Sequence, residues 1–194
     1  MKIAILGWGS LLWQPGGDFG NSIELPWKTD GPTLPIEFSR ISTSRGGALT
    51  LVIDPKNGSN TTVAWCLTKR AQLEDAVADL RCREGTNMAN IRSLRLDEQP
   101  AGPTVVEKAI LDWATDRKLD AVSWTALQSN FEEKTGQAFS IEQAIAYLKS
   151  LSVDGKVKAA EYVWKAPDFV QTPLRSALQR EPWFSEKSIR PQEA

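Results

Sequence analysis

Two short stretches of this 194-residue chain carry residue types that can do chemistry. The first is Gly7-Trp8-Gly9-Ser10-Leu11, which follows the apolar run Ile3-Ala4-Ile5-Leu6. Glycine lets backbone N–H groups approach a ligand closely, and successive N–H groups in such a turn form an anion-binding nest. The second is Leu80-Arg81-Cys82-Arg83-Glu84-Gly85. Helical periodicity begins at Ala71, and the stripe Leu73, Val77, Leu80 extends by one step of four to Glu84. Glu84 therefore continues an apolar face, and it sits in the last helical turn, where the macrodipole opposes negative charge. Burial and dipole both disfavour the charged form of a carboxylate, which is the condition of a general base. The competing reading is an ordinary helix-end Glu paired with Arg81 or Arg83.

The chain contains no histidine. This excludes Ser-His-Asp and Cys-His catalysis, His-ligated zinc and an imidazole base. In an enzyme without a redox cofactor, proton transfer then falls to a carboxylate or a lysine. Among the carboxylates, Asp54 sits beside a turn, Glu132 and Glu133 lie in a polar stretch, and Glu37 is on a strand whose facing is open. Arg40 and Arg45 read as surface or ion-pair residues, with a pocket role on a substrate carboxylate as the alternative.

Net charge is −1, so no basic field argues for nucleic acid or an anionic membrane. No run approaches the roughly 20 apolar residues of a membrane span. Cys66 and Cys82 lack metal-ligand spacing and read as reduced thiols, which predicts a cytoplasmic protein. Of the eight Trp, Trp13, Trp27 and Trp65 are placed to wall a pocket, though core filling accounts for most of them. The loop has two further readings. One is a tight turn without a ligand. The other is a dinucleotide fingerprint, which Leu12 (where a third glycine is needed) and the helix-blocking Pro15-Gly16-Gly17 argue against.

The positioning elements follow from patterning. Residues 2–6 read as a buried strand and 14–35 as a long Pro- and Gly-rich loop. Strands are predicted over 35–42, 48–54 and 61–67, the last two joined by an Asn57-Gly58 hairpin. Three antiparallel strands in succession predict a curled sheet or a small barrel. A helix over 71–84 stopped by Gly85, a strand at 91–96 and a Pro/Gly loop at 100–103 follow. Thr104-Val105-Val106-Glu107 is a capping box opening a helix to about Asp116. A strand over 119–124, a helix capped by Ser140, a helix over 156–165 and a wrapping final segment complete the reading. The chain is taken as a single domain, residues 1–194, with a core of about 1–127 and a C-terminal helical extension of about 128–194.

The loop resembles the Tyr-Gly-Ser-Leu/Asn signature of the γ-glutamylcyclotransferase-like superfamily, in the branch of the ChaC and AIG2-like proteins. There the signature continues Ile/Leu-Trp, matched here by Leu11-Leu12-Trp13. Phe38-Ser39-Arg40-Ile41-Ser42 with Arg45-Gly46 is similar to an Arg-bearing strand and Arg-Gly turn. Val63-Ala64-Trp65 resembles a Val-Ala-Tyr strand, and Leu80 to Gly85 a helix-ending Arg-Glu motif. The motifs run in order over roughly residues 3–96. At Trp8 the chain departs from the signature Tyr; an indole only donates, from Nε1, which argues for an altered acceptor pocket or a different substrate.

The resemblance implies an α+β fold, a small mixed, mostly antiparallel β-barrel with flanking helices. It implies release of 5-oxoproline from a γ-glutamyl amine or peptide, with Glu84 as general acid/base. Gly7, Trp8, Gly9, Ser10, Leu11, Arg40 and Arg45 would bind the small-molecule substrate, with no metal and no cofactor. A non-catalytic domain binding an amino-acid-like molecule on the same fold is the alternative.

Overall fold

The computed structural model describes residues 1–98 and 101–184. The expected loop at 100–103 begins on Pro100 and the expected wrapping segment runs past 184; those parts lie outside the described residues. The elements in chain order are β1 (Ile3–Gly7), α1 (Gly17–Ser22), β2 (Thr33–Ser42), β3 (Ala48–Ile53), β4 (Ser59–Thr62), β5 (Ala64–Leu67) and α2 (Leu73–Glu84). They continue with β6 (Ile91–Arg95), α3 (Val105–Asp116), β7 (Ala121–Thr125), α4 (Phe131–Thr135), α5 (Ile141–Ser150), α6 (Val153–Lys165) and α7 (Pro173–Leu178). The chain divides into two compact units, Met1–Leu34 with Thr62–Leu127, and Pro35–Thr61 with the described part of 128–194. Among the described residues no helix is long and apolar enough to cross a membrane.

The first unit is built on a four-stranded sheet in the order β5-β1-β7-β6. β1 runs antiparallel to β5 and parallel to β7, and β7 is antiparallel to β6. Ile3 and Ile5 of β1, Cys66 of β5 and Ala121 of β7 face a cluster that takes Leu73, Ala76, Val77 and Leu80 from α2 and Phe19 from α1. Full burial of one such aliphatic side chain contributes about 2 kcal/mol, so this cluster fixes where α2 lies. Trp65 alternates with Cys66 and points to the opposite face. There it meets Trp113 of α3 edge-on, with ring centroids 5.2 Å apart. Asp30 ties this face together, accepting from Trp65 Nε1 at 2.8 Å and Arg117 Nη2 at 2.9 Å.

The segment expected as a loop over 14–35 is partly ordered by pairing. It contains α1, and Glu24, Lys28 and Gly31 donate backbone hydrogen bonds to Leu67, Trp65 and Val63 along the outer edge of β5. Prolines and glycines mask this edge pairing in the sequence, because such bonds place no periodic demand on the side chains.

The second unit holds a three-stranded sheet in the order β3-β2-β4, apart from end residues of β2 and β4 that fall in the first. β2 and β3 pair antiparallel, with a register shift between Phe38 and Arg40. Phe38 meets Tyr162 of α6 edge-on at 6.2 Å. Glu37, fully buried, accepts from the Phe38 amide at 2.7 Å and from the Leu174 amide of α7 at 3.3 Å.

The fold is α+β, with two mostly antiparallel sheets. The expected barrel does not form among the described residues, for two local reasons. The stretch predicted as one strand over 61–67 is split at Val63, whose carbonyl and amide are taken by the Gly31 amide and the Pro32 carbonyl. β4 therefore joins the second sheet and β5 the first. The Asn57-Gly58 hairpin is also absent: β4 lies beside β2, not β3. Asp54 Oδ1 accepts from the Lys56 and Asn57 amides and Oδ2 from Asn57 Nδ2, closing a turn that carries the chain across Pro35. Short-range capture by an aspartate overrides the Asn-Gly signal. Burial alone would raise the Asp54 carboxyl, but these donors hold it below its ordinary value.

Candidate functional site

Gly7 ends β1 opposite Ala64 of β5, and the chain then closes a single helical turn. The Leu12 amide donates to the Gly9 carbonyl at 3.0 Å and the Gln14 amide to the Ser10 carbonyl at 2.8 Å. The amides of Gly9, Ser10 and Leu11 lie ahead of these first bonded donors and take no part in them. Leu11 is buried in the cluster under α2. That shared burial brings the turn to the end of α2.

Gly7 is glycine for reasons of packing. A methyl there would come within 3.0 Å of Leu12 Cδ2 and 3.1 Å of Trp27 Cζ3, and the residue needs no positive φ. Trp27 packs against Gly7 and the core cluster, the core-filling role expected for most of the tryptophans. Trp8 itself is buried, with 5% exposed.

α2 ends on Glu84. Gly85 follows at φ 59°, ψ 37°, a left-handed conformation that glycine adopts without strain, and its amide bonds back to Cys82 at 3.1 Å. Leu73, Ala76, Val77 and Leu80 are buried, and the Glu84 side chain is 17% exposed, so it continues that face at its margin. Its carboxylate is an ion-pair partner: Arg83 Nη1 donates to Oε1 at 2.6 Å. The bland expectation of an Arg83 pair is thus realised, but not in bland surroundings. Arg83 Nη2 also donates to Ser10 Oγ at 3.2 Å and to the Gln14 carbonyl at 2.6 Å.

The guanidinium is the joint of the site. Successive residues on a helix point about 100° apart and do not ordinarily face each other. An Arg83–Glu84 contact at this distance requires both side chains to bend toward each other, and the Arg83 guanidinium that meets Glu84 is the one held at the turn by Ser10 and Gln14. The arrangement sets a carboxylate, a serine hydroxyl and a backbone carbonyl on one guanidinium. Such a set can bind an anionic group and move a proton. Among the described residues no three His, Cys, Asp or Glu side chains gather as metal ligands would.

The structure thus brings together Gly7, Gly9, Ser10, Leu11 and Glu84. Arg40 and Arg45 belong to the second unit and are engaged there. Arg40 Nη1 donates to the Gln128 carbonyl at 2.7 Å, and the Arg45 guanidinium lies 5.0 Å from the centroid of the Tyr162 ring. Sequence reasoning named Arg83 as one of two ion-pair partners for Glu84 but gave it no contact with the turn at 7–11, which only the Ser10 and Gln14 bonds reveal. Of the two thiols, Cys66 is buried, which pushes its titration well up, and Cys82 is exposed beside Arg81. Compared with known proteins, the chain matches no family model, no curated protein and no solved structure.

Proposed function

We propose that the first unit carries a γ-glutamylcyclotransferase-like site that releases 5-oxoproline from a γ-glutamyl amine or peptide. The observation that supports this most is the meeting of the Ser10 turn and Glu84 at one guanidinium. A chain without histidine leaves a carboxylate or a lysine for proton transfer, and Glu84 is the carboxylate joined through Arg83 to the Ser10 turn. In the reaction the substrate α-amine attacks the γ-carbonyl carbon. Its C–N bond forms as the γ-amide C–N bond breaks. Glu84 takes one α-ammonium proton before attack, and the attacking nitrogen loses a second as the lactam forms. The departing nitrogen gains one by way of Glu84 and one from water to leave as an ammonium, so electrons and protons balance without an oxidant. Folding the glutamyl chain into a five-membered ring supplies the proximity term.

The test is 5-oxoproline detection over glutathione, γ-glutamyl amines and γ-glutamyl dipeptides, run beside Glu84→Gln. Release is expected from at least one compound, with a loss of 100-fold or more in a variant whose Tm stays within a few degrees. Absence of release across the panel ends the cyclotransferase reading. The Arg83–Glu84 ion pair favours a second reading, in which Glu84 and Arg83 orient an amino-acid-like ligand without turnover. Binding of intact γ-glutamyl compounds with no release identifies that case.

A further inference from the structure

We propose that Arg83 is the carboxylate-receiving residue of this site, and that a ligand carboxylate takes the place on its guanidinium that Glu84 occupies. The inference rests on the cyclotransferase reading for the identity of the ligand, a γ-glutamyl compound bearing a free α-carboxylate.

The geometry carries it in three steps. First, Arg83 reaches 73 residues back along the chain to Ser10 Oγ, so its guanidinium stands at the turn and not on the outer surface of α2. Its side chain is only 11% exposed, against 46% for Arg70 in its solvated pair with Asp79. Second, Nη2 serves the fixed framework, the Ser10 hydroxyl and the Gln14 carbonyl, whereas Nη1 serves Glu84 alone. The guanidinium thus has one end anchored and one end holding an exchangeable carboxylate. Third, the Glu84 contact is one-pronged: Oε1 alone is bonded, although a guanidinium and a carboxylate can form two parallel bonds. Glu84 has the advantage of its tether, so a ligand carboxylate displaces it by forming the two parallel bonds that Glu84 does not make. Its arrival frees Glu84 from the cation at the moment a base is needed. Arg83 then binds the carboxylate and positions the base.

The test uses the product and its neutral twin. Ring closure leaves the α-carboxylate intact, so 5-oxoproline and 5-oxoprolinamide differ at that group and keep the same ring. By calorimetry the wild-type chain is expected to bind the acid at least tenfold more tightly than the carboxamide. Arg83→Gln is expected to bring the two within twofold of each other. Arg83→Lys, which keeps the charge without the fork, lowers the preference at least threefold, and covers the case in which Arg83→Gln does not fold. Glu84→Gln removes the competing carboxylate and tightens acid binding severalfold. Equal wild-type affinities overturn the inference, as does a folded Arg83→Gln that keeps the tenfold preference. If γ-glutamyl compounds turn over and the preference survives in Arg83→Gln, the cyclotransferase reading stands and this one falls. If the preference depends on Arg83 but nothing releases 5-oxoproline, this inference stands and catalysis falls. Failure of the wild type to bind either compound overturns this inference and leaves the cyclotransferase reading to be decided by release alone.

Discussion

Arg83 Nη2 lies 3.2 Å from Ser10 Oγ, and the same guanidinium holds Glu84 through Nη1 at 2.6 Å. Two segments far apart in the chain therefore share one cation. The glycine turn at the end of β1 and the carboxylate at the end of α2 are brought to one guanidinium because the helix packs its apolar stripe on the sheet that delivers the turn. Packing comes first, and the polar joint closes on top of it.

The tight crossing at Gly31 separates two kinds of glycine. A Cβ at Gly31 would stand 2.3 Å from the Val63 carbonyl oxygen, a backbone atom that cannot yield, whereas at Gly7 it meets flexible side chains at 3.0 Å or more. Gly31→Ala is expected to cost about 3 kcal/mol and Gly7→Ala about 1 kcal/mol in chemical denaturation. Equal costs at the two positions would show that the close approach to Val63 does not constrain the chain.

Arg175 is buried, and its guanidinium donates to the carbonyls of Ala166, Pro167 and Val170 at 2.6–2.8 Å, closing the chain after α6. Replacing it by Leu leaves three acceptors without their donor, and a destabilisation of about 3–5 kcal/mol is expected. Arg175→Lys recovers less than half of that, because one ammonium cannot reach three carbonyls. Urea midpoints of the two variants decide the point.

Glu37 gives the second unit a pH dependence. Burial pushes its carboxyl above the ordinary value, while the Thr172 hydroxyl and the amides of Phe38 and Leu174 pull the other way without cancelling it. A raised folded-state value means that stability is full below the unfolded value and is lost as pH rises through the folded one. The Tm of the wild type minus that of Glu37→Gln should therefore fall as pH rises from about 4 toward 7. A difference that is flat or widens over this interval removes Glu37 as the titrating group.

Legibility in the sequence follows the range of the forces involved. The capping box at Thr104 forms both of its bonds, Ser140 accepts from the Gln143 amide, and Gly85 ends α2 in the left-handed region. Each of these is closed by residues within a few positions, so a linear reading reaches it. Strand partnership is a different matter. Whether 61–67 is one strand or two depends on Gly31 and Pro32 bonding to Val63, and no periodicity within 61–67 encodes that. The Asn57-Gly58 signal was outweighed by Asp54, three residues before Asn57, whose side chain offers the turn better partners.

The candidate site divides along the same line. Residue order alone determined that any acid–base catalysis by this chain must do without histidine, that Glu84 ends a helix on its apolar side, and that a glycine-flanked turn follows the first strand. Only the tertiary structure decided that Glu84 meets that turn through Arg83. The reason is geometric: adjacent helical residues diverge, and their side chains converge only when a distant segment, here Ser10 and Gln14, supplies the acceptors that draw the guanidinium toward it.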